Sequence, residues 1–463
     1  MRRRNFIKAV ITGSLGSIIS GKADGYDSKK KYEKSCEDTS GPAVEWRRKI
    51  PVRYEADVAV IGGGIAGVSA AGAAARSGAK VILVERFAVT GGNLTSGGVG
   101  SFCGETRGQG EVFDEIVSSL EKFDAIAEYK PYSRENQSRI FDHEILAVVL
   151  QELVLRRSVK MLLHTRFVDV LIKGGRISEC LLCGKSGQEA LRAKQIIDCT
   201  GEGDVARYAG FEVMKGRVKD GLQLPMSMMY FVREVAEDKA GPQLAEGWFE
   251  PVRSKEDLPM TSVWPNGPGG KALKVKIPMF DSTDTEGLTA GEVKGRRRMW
   301  EVLDYFQRVR KKDWRFDHCS PIIGIREGCR IAGDYVLKVE DLRAGREFED
   351  GVAKGTFYLD GHKPDDEKRT YILKKSEMDV PPYQIPLGSL IAKDGKNLMM
   401  AGRCFSADQL SLSSARVSTS CSMMGQAAGI TAALCAAKDA EPRDIDASEV
   451  KREVVKRGAN LEI

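Results

Sequence analysis

The sequence predicts an α/β protein: a three-layer domain built on a parallel sheet, interrupted by an inserted α+β region rich in antiparallel sheet. Three stretches predict this. Residues 57–85 pass from a short apolar run through a glycine-rich turn and a small-residue helix to a second apolar run. Residues 193–204 bring another buried run to a Thr-Gly turn, and residues 397–433 do the same before a long segment dense in Gly and Ala. Between the second and third stretches lie four of the five Trp, with strand and turn signals mixed.

In the first stretch, Val58 to Ile61 has the length and β-branched content of a buried parallel strand. Gly62, Gly64 and Gly67 follow in G-x-G-x-x-G spacing. The first makes the tight turn, the second lets a pyrophosphate approach the backbone, and the third lets the helix pack on the strand. Val81 to Val84 form the next strand, closed by Glu85, whose carboxylate suits the two hydroxyls of an adenosine ribose. A strand, this turn, a helix and a terminal acid together read as a dinucleotide site, with Arg86 and the glycine-rich loop Gly91-Gly92-Asn93 beside it.

Further along, Glu111 to Glu128 and Phe141 to Leu155 read as amphipathic helices, and Met161 to His164 and Phe167 to Ile172 as strands. Lys173-Gly174-Gly175-Arg176 is a hairpin turn. The second key stretch ends in Thr200-Gly201-Glu202-Gly203-Asp204, where the chain passes close to something flat and Asp204 caps a helix or orients a ligand. Residues 211–384 read as the inserted substrate region, with a basic helix around Lys294 to Lys312 and a charged segment, Arg326, Glu327 and Arg330, between apolar flanks. Residues 55–210 and 385–440 form the two parts of the nucleotide-binding domain, and 441–463 is a C-terminal tail.

The chain has 463 residues, 42% hydrophobic and 29% charged, with a formal charge of +6. That charge is diluted along the chain and partly concentrated at its start, so no nucleic-acid surface is indicated. Met1 to Lys8 contains Arg-Arg-x-Phe-x-Lys ahead of a mildly apolar run to Ser20. This resembles a twin-arginine export signal over residues 1–24, with 25–54 as a polar arm and no membrane span in the mature chain. The ten cysteines include Cys180 and Cys183, but in a strand residues three apart face opposite ways, so they make no metal clamp. No run of cysteines suits an iron–sulfur cluster, and no metal is expected.

The motifs Gly62/Gly64/Gly67 with Glu85, Thr200 to Asp204, Gly324 to Asp334, Ile385 to Leu390, Asn397 to Arg403 and Gly425 to Gly429 occur in this order. Together they resemble the FAD-dependent oxidoreductases of the group that includes fumarate reductase-like and thiazole-synthesis-like enzymes. The resemblance implies a Rossmann-like fold and FAD as cofactor, with Glu85 on the adenosine ribose. It places the loop around Gly62, Gly64, Ile65, Ala66 and Gly67, with Thr200 and Gly201, at the pyrophosphate and adenine side. It places Gly402 and Gly425, Gln426 and Ala427 at the flavin end, where a helix beginning near Gly425 would stabilise negative charge on the reduced ring; the alternative for Gly425 to Gly429 is close helix packing alone. Arg86, Gly91, Gly92, Asn93, Phe167, Val168, Asp204 and Arg403 complete the expected cofactor-binding set. No second G-x-G-x-x-G follows a strand, so no NAD(P)H site of its own is expected.

For chemistry, Arg326 and Arg416 are candidates to clamp an anionic substrate. Each has an alternative: an ion pair with Glu327 for Arg326, a bond to FAD phosphates for Arg416. His362, one of four His, is the candidate acid/base, against the alternative of a surface loop residue without a role. Cys103 is placed to touch the flavin ring or to be an inert buried thiol. Trp248, Trp264, Trp300 and Trp314 could stack on a sugar or simply fill a core. The expected activity is oxidation or reduction of a small, possibly sugar-derived, organic molecule by hydride transfer at flavin N5, in an exported, periplasmic protein with a separate electron acceptor. The alternative is a flavin electron-transfer subunit resembling that of heterodisulfide reductase, from which this chain departs by lacking clustered cysteines.

Overall fold

The strand Val52–Ile61 alternates between exposed and partly covered residues in its first half and is wholly buried in its last four. That change marks where it passes from the sheet margin into the middle. It pairs in parallel with Val81–Val84 on one side and Gly187–Asp198 on the other. Val81–Val84 pairs onward with Lys160–Leu162, and Leu398–Met400 joins the end of Gly187–Asp198, both in parallel. The beginning of Gly187–Asp198 is covered instead by the antiparallel strand Arg176–Gly184, which continues into Arg166–Lys173. Gly174 and Gly175 turn this last pair with φ of 58° and 78°, the left-handed geometry that a two-residue hairpin requires. Cys180 is buried and Cys183 exposed, on opposite faces as their spacing implied.

This description rests on a computed structural model covering residues 44–463, apart from 240, 245, 246, 248, 267 and 268. The export signal of residues 1–24, residues 25–43 of the arm, and Trp248 lie outside the described residues. Residues Glu45–Ile463 form one compact unit holding two hydrophobic cores.

The main core surrounds the parallel sheet. The helix Ile65–Arg76 lies against it and is backed by a second helix, Ser418–Lys438, in which nearly every side chain is buried. That second helix does not begin near Gly425, as expected from sequence, but about two turns earlier, behind Val417. Gly425 and Gly429 sit in its middle, where the small residues let it close on Ala66 and Ala70. Ser69 and Ser422 join the two helices by a hydroxyl–hydroxyl bond of 2.7 Å.

The second core has its own four-stranded antiparallel sheet, in the order Thr261–Pro265, Gly270–Ile277, Met226–Glu234, Trp314–Cys319. The helix Thr285–Arg308 covers one face. Strand alternation divides the residues: Met226, Met228, Tyr230, Leu273 and Val275 enter this core, while their neighbours Ser227, Met229 and Lys274 face the other way. Trp300 and Trp314 pack in the same core.

Two sequence boundaries shift. The second core draws on residues between Met226 and Ile325, narrower than the expected 211–384, because Ile331, Leu342, Val352 and Tyr383 pack into the main core. The expected C-terminal tail is instead part of the fold: the helix Ala447–Lys456 buries Val450 and Val454, and Asn460 N–H donates to the Gly108 carbonyl at 2.8 Å. No helix among the described residues is long and apolar enough to cross a membrane.

Candidate cofactor and substrate site

Four parallel strands end at one cavity. Ile61 leads into Gly62, Val84 into Glu85, Asp198 into Cys199 and Thr200, and Met400 into Ala401 and Gly402, and all of these residues but Asp198 and Met400 line it. The chain leaves the central strand to one side first and returns later on the other. A crevice at the carboxyl ends of strands is what such a reversal of order creates.

The glycines of the first turn have separate physical tasks. A β-carbon on Gly62 would stand 2.3 Å from the Cys199 carbonyl oxygen, and one on Gly67 would stand 1.9 Å from that of Gly62. A β-carbon on Gly64 would meet nothing within 4 Å, because it points into the cavity. Gly64 precedes Ile65 at the start of the helix, and no side chain caps that end. The first helical N–H groups are therefore left for an anion. Glu85 accepts from Gly63 N–H at 2.7 Å and Phe87 N–H at 2.8 Å, which fix both carboxylate oxygens at the cavity wall. Burial raises its pKa against the pull of those two bonds. Gly91 N–H donates to the Gly63 carbonyl at 2.8 Å and so clasps the second glycine-rich loop onto the first. These features, an uncapped helix start, an open face at Gly64 and an oriented carboxylate at Glu85, fit what a dinucleotide requires.

Asp198 and Glu202 hold the turn between these strands. Asp198 accepts from Thr200 N–H and its hydroxyl through one oxygen, and from Val205 and Ala206 N–H through the other. It therefore caps the helix Asp204–Tyr208, a task the sequence had offered to Asp204. Asp204 lies on the cavity wall, paired with Arg207 at 3.1 Å. Buried Glu202 pairs with Arg403 at 2.8 Å and with Arg86 at 3.5 Å. Arg403 and Asn93 both donate to the Ile325 carbonyl, at 2.9 and 2.7 Å. These two bonds tie the nucleotide loops to the segment that carries Arg326.

The remaining walls come from the second sheet and the chain after it. Ser227, Met229, Trp264, Lys274 and Arg326 line the cavity from one direction, and Cys103, Phe357, Asp360 and Arg416 from another. Arg326 does not pair with Glu327, which instead binds Arg330. It donates to the Pro225 carbonyl at 2.7 Å and the Ser227 hydroxyl at 2.6 Å. Burial and the charge of Arg416 lower its pKa to about 10. Arg416 pairs with Asp360 at 3.3 Å, and its Nε is buried without a partner. Burial works against the Asp360 carboxylate, but His362, Arg416 and Lys274 outweigh it and hold the carboxyl well below its usual range. Burial keeps the Cys103 thiol protonated, which favours the inert alternative.

The structure gathers most of the sequence-predicted site residues. Gly62, Gly64, Ile65, Ala66, Glu85, Arg86, Gly91, Gly92, Asn93, Phe167, Thr200, Gly201, Asp204, Gly402 and Arg403 all line the cavity. Gly67 lies just beneath it. Val168 does not line the wall; it sits at the irregularity where Arg166–Lys173 shifts register against Arg176–Gly184. Gly425, Gln426 and Ala427 are mid-helix packing residues off the cavity, and Gln426 touches Gly110 and Val112 instead. Their expected place at the helix start is taken by Val417, Ser418 and Cys421, so a helix N-terminus does face the cavity, from an earlier point in the chain. Of the catalytic candidates, Arg326 and Arg416 reach the wall. His362 is 2% exposed, stacks on Tyr371 and sits 3.3 Å behind Asp360, so it is neither at the surface nor on the wall. Lys274 and Asp360 were missed. Trp264 alone of the described expected tryptophans reaches the cavity.

Comparison with known proteins adds the following. The model of a family described as FAD dependent oxidoreductase matches residues 57–454. The thiamine thiazole synthase of Pyrococcus horikoshii is 30% identical over 175 residues and that of Pyrococcus abyssi 28%, each over 36% of this chain and 64% of the relative. The chain thus spans less than two thirds of the length of those curated relatives. A geranylgeranyl bacteriochlorophyll reductase-like protein from Thermoplasma acidophilum aligns at 12% identity and a TM-score of 0.46, over 88% of this chain and 92% of that one. The flavin-dependent brominase Bmp2 aligns at 13% identity and a TM-score of 0.43, over 87% and 83%.

Proposed function

Because the chain belongs to the family of FAD dependent oxidoreductases, with FAD as its cofactor, we propose that it oxidises or reduces a small organic anion held by Arg326 and Arg416. The observation that carries this reading is the charge of the inner cavity. Three cations, Lys274, Arg326 and Arg416, face one carboxylate, Asp360. An excess of positive charge in a half-buried cavity is costly unless an anion completes it, and guanidinium groups suit a carboxylate. A sugar acid remains within this class. A neutral sugar is less well served, since Trp300 and Trp314 are spent on the second core.

Glu85, Gly64 and the start of the Ile65–Arg76 helix would hold the adenosine and pyrophosphate, and Gly402 with the start of the Ser418–Lys438 helix would border the ring. Bound FAD supplies a two-electron centre that takes or gives a hydride at N5. The protein's part is to orient the substrate with Arg326, whose own position is set by Pro225 and Ser227. The apolar side chains of Met229, Trp264 and Phe357 exclude water beside it. A separate acceptor, rather than bound NAD(P)H, would take up the electrons in this reading. Residues 1–24 direct export by the twin-arginine route in this reading, and replacing both Arg3 and Arg4 by Lys would retain the protein in the cytoplasm if it holds.

An anaerobic bleaching screen of the purified flavoprotein against hydroxy acids, sugar acids, polyols and neutral sugars tests the reading. Bleaching by at least one organic acid and by none of the neutral compounds supports it. Bleaching by neutral polyols alone contradicts it, and bleaching only by a protein partner favours an electron-transfer subunit.

A further inference from the structure

We propose that Lys274 is the catalytic acid/base of this site, exchanging with a hydroxy-anion substrate the proton that accompanies hydride transfer. The proposal rests on the functional reading above and adds the identity of the proton carrier. Lys274 lies in the strand Gly270–Ile277 opposite Met229, with Leu273 and Val275 on either side turned into the second core. Its side chain is thereby committed to the cavity.

The other charged side chains of the inner cavity each have a partner. Arg326 bonds to Pro225 and Ser227, Arg416 pairs with Asp360, and Asp360 also receives His362. His362, the acid/base expected from sequence, is screened from the cavity by Asp360 and stacked on Tyr371. The Lys274 ammonium, by contrast, has no hydrogen-bond or ion-pair partner among the described residues. Four groups face it: Arg326 from the segment after the second sheet, Asp360 from the loop before His362, Cys103 from the strand Ser101–Cys103, and Arg416 ahead of the long helix. Burial and Arg326 lower its pKa to about 8, against the opposing pull of Asp360. An amine poised there carries a proton in either direction near neutral pH.

In the oxidative direction the balance is simple. The substrate C–H bond breaks with its electron pair, and hydride passes to the flavin. The O–H bond breaks, its proton passes to neutral Lys274 Nζ, and a C=O bond forms while the amine becomes an ammonium. Reduction of the product reverses each transfer.

The FAD-loaded full chain is first labelled with trace acetic anhydride between pH 6 and 10, and each lysine is quantified by mass spectrometry. Lys274 is expected to titrate near pH 8, two units below the surface lysines, and titration with the surface lysines overturns the proposal. The second arm uses an organic acid that bleaches the wild-type flavin. Lys274→Met is expected to slow flavin reduction at saturating substrate about 100-fold or more, with the wild-type pH limb abolished. Lys274→Arg keeps the charge but stays slow, and added methylamine partly restores the Lys274→Ala rate. Each variant must retain the wild-type visible flavin spectrum, which reports folding and cofactor loading; a variant without it is replaced by Lys274→Gln. A wild-type rate and pH profile in these variants overturns the assignment while leaving the proposed function standing. Failure of every organic acid to bleach the wild type contradicts the proposed function itself, and with it this inference.

Discussion

Gly425 lies so close beneath Ala66 that a β-carbon at Gly425 would stand 2.1 Å from the Ala66 carbonyl oxygen, and Gly429 repeats the contact against Ala70 at 2.2 Å. Two helices far apart in sequence, one beginning at residue 65 and one at residue 418, therefore meet backbone to backbone. Gly425→Ala is expected to force them apart and to cost about 1–3 kcal/mol. A lower midpoint in urea unfolding, together with a reduced FAD-to-protein ratio after gel filtration, would record it. A midpoint equal to wild type would show that the helices are not locked at this point.

Gly64 and Gly67 separate ligand space from packing space. Gly64→Ala adds a methyl to open cavity and is expected to leave the unfolding free energy of the apoprotein within about 0.5 kcal/mol of wild type, while weakening FAD binding. Gly67→Ala drives a methyl into the Gly62 carbonyl and is expected to destabilise the apoprotein itself. Unfolding curves of the two apoproteins, with and without FAD, distinguish the cases. Equal damage to both apoproteins would contradict the division.

Glu85 binds two backbone N–H groups while lining the cavity, so its role in holding the turn can be told from its proposed role in holding ribose. Glu85→Gln keeps the shape but loses the charge and one acceptor. FAD affinity is expected to fall about 10- to 100-fold, the worth of a hydrogen bond to a charged group. Calorimetric titration of apoprotein with FAD measures this, and unchanged affinity would remove Glu85 from the ribose.

The half-buried amine of Lys274 makes stability depend on pH in a definite direction. Its pKa is about 8 in the fold and 10.5 ordinarily. Between those values the unfolded chain binds the extra proton, so stability rises with pH across that window, and below about 8 the full penalty is present. Lys276, likewise lowered to about 8 by burial, adds to the same rise. Lys274→Met is expected to be more stable than wild type at pH 7, on the order of 2 kcal/mol, and to gain less between pH 8 and 10. Denaturant unfolding at three pH values tests the sign.

The nucleotide half of this site was legible because its information is local. Gly62, Gly64, Gly67 and Glu85 are fixed by one strand–turn–helix–strand unit, and Thr200 and Gly402 end strands of the same kind. The inner cavity was not, because Lys274 reaches it only through the register of an antiparallel sheet that pairs it with Met229. Asp360 was passed over for its neighbour His362, since residue type favoured the imidazole while the backbone gave the wall to the carboxylate. The helix start at Ser418 was hidden for another reason. Val417 offers no capping side chain and the first turns, rich in Ser and Thr, lack a helical signal. They are helical because the main core buries them on all sides.

The charge of the inner cavity is tested most directly by binding, with no turnover required. The FAD-loaded protein is titrated with a small organic acid and with its amide, and the visible flavin spectrum is followed. The acid is expected to perturb the flavin and bind at least 10-fold tighter than the amide, with that preference lost in Arg326→Met. Equal binding of acid and amide, or an acid preference that survives in Arg326→Met, would contradict an anion site built around Arg326.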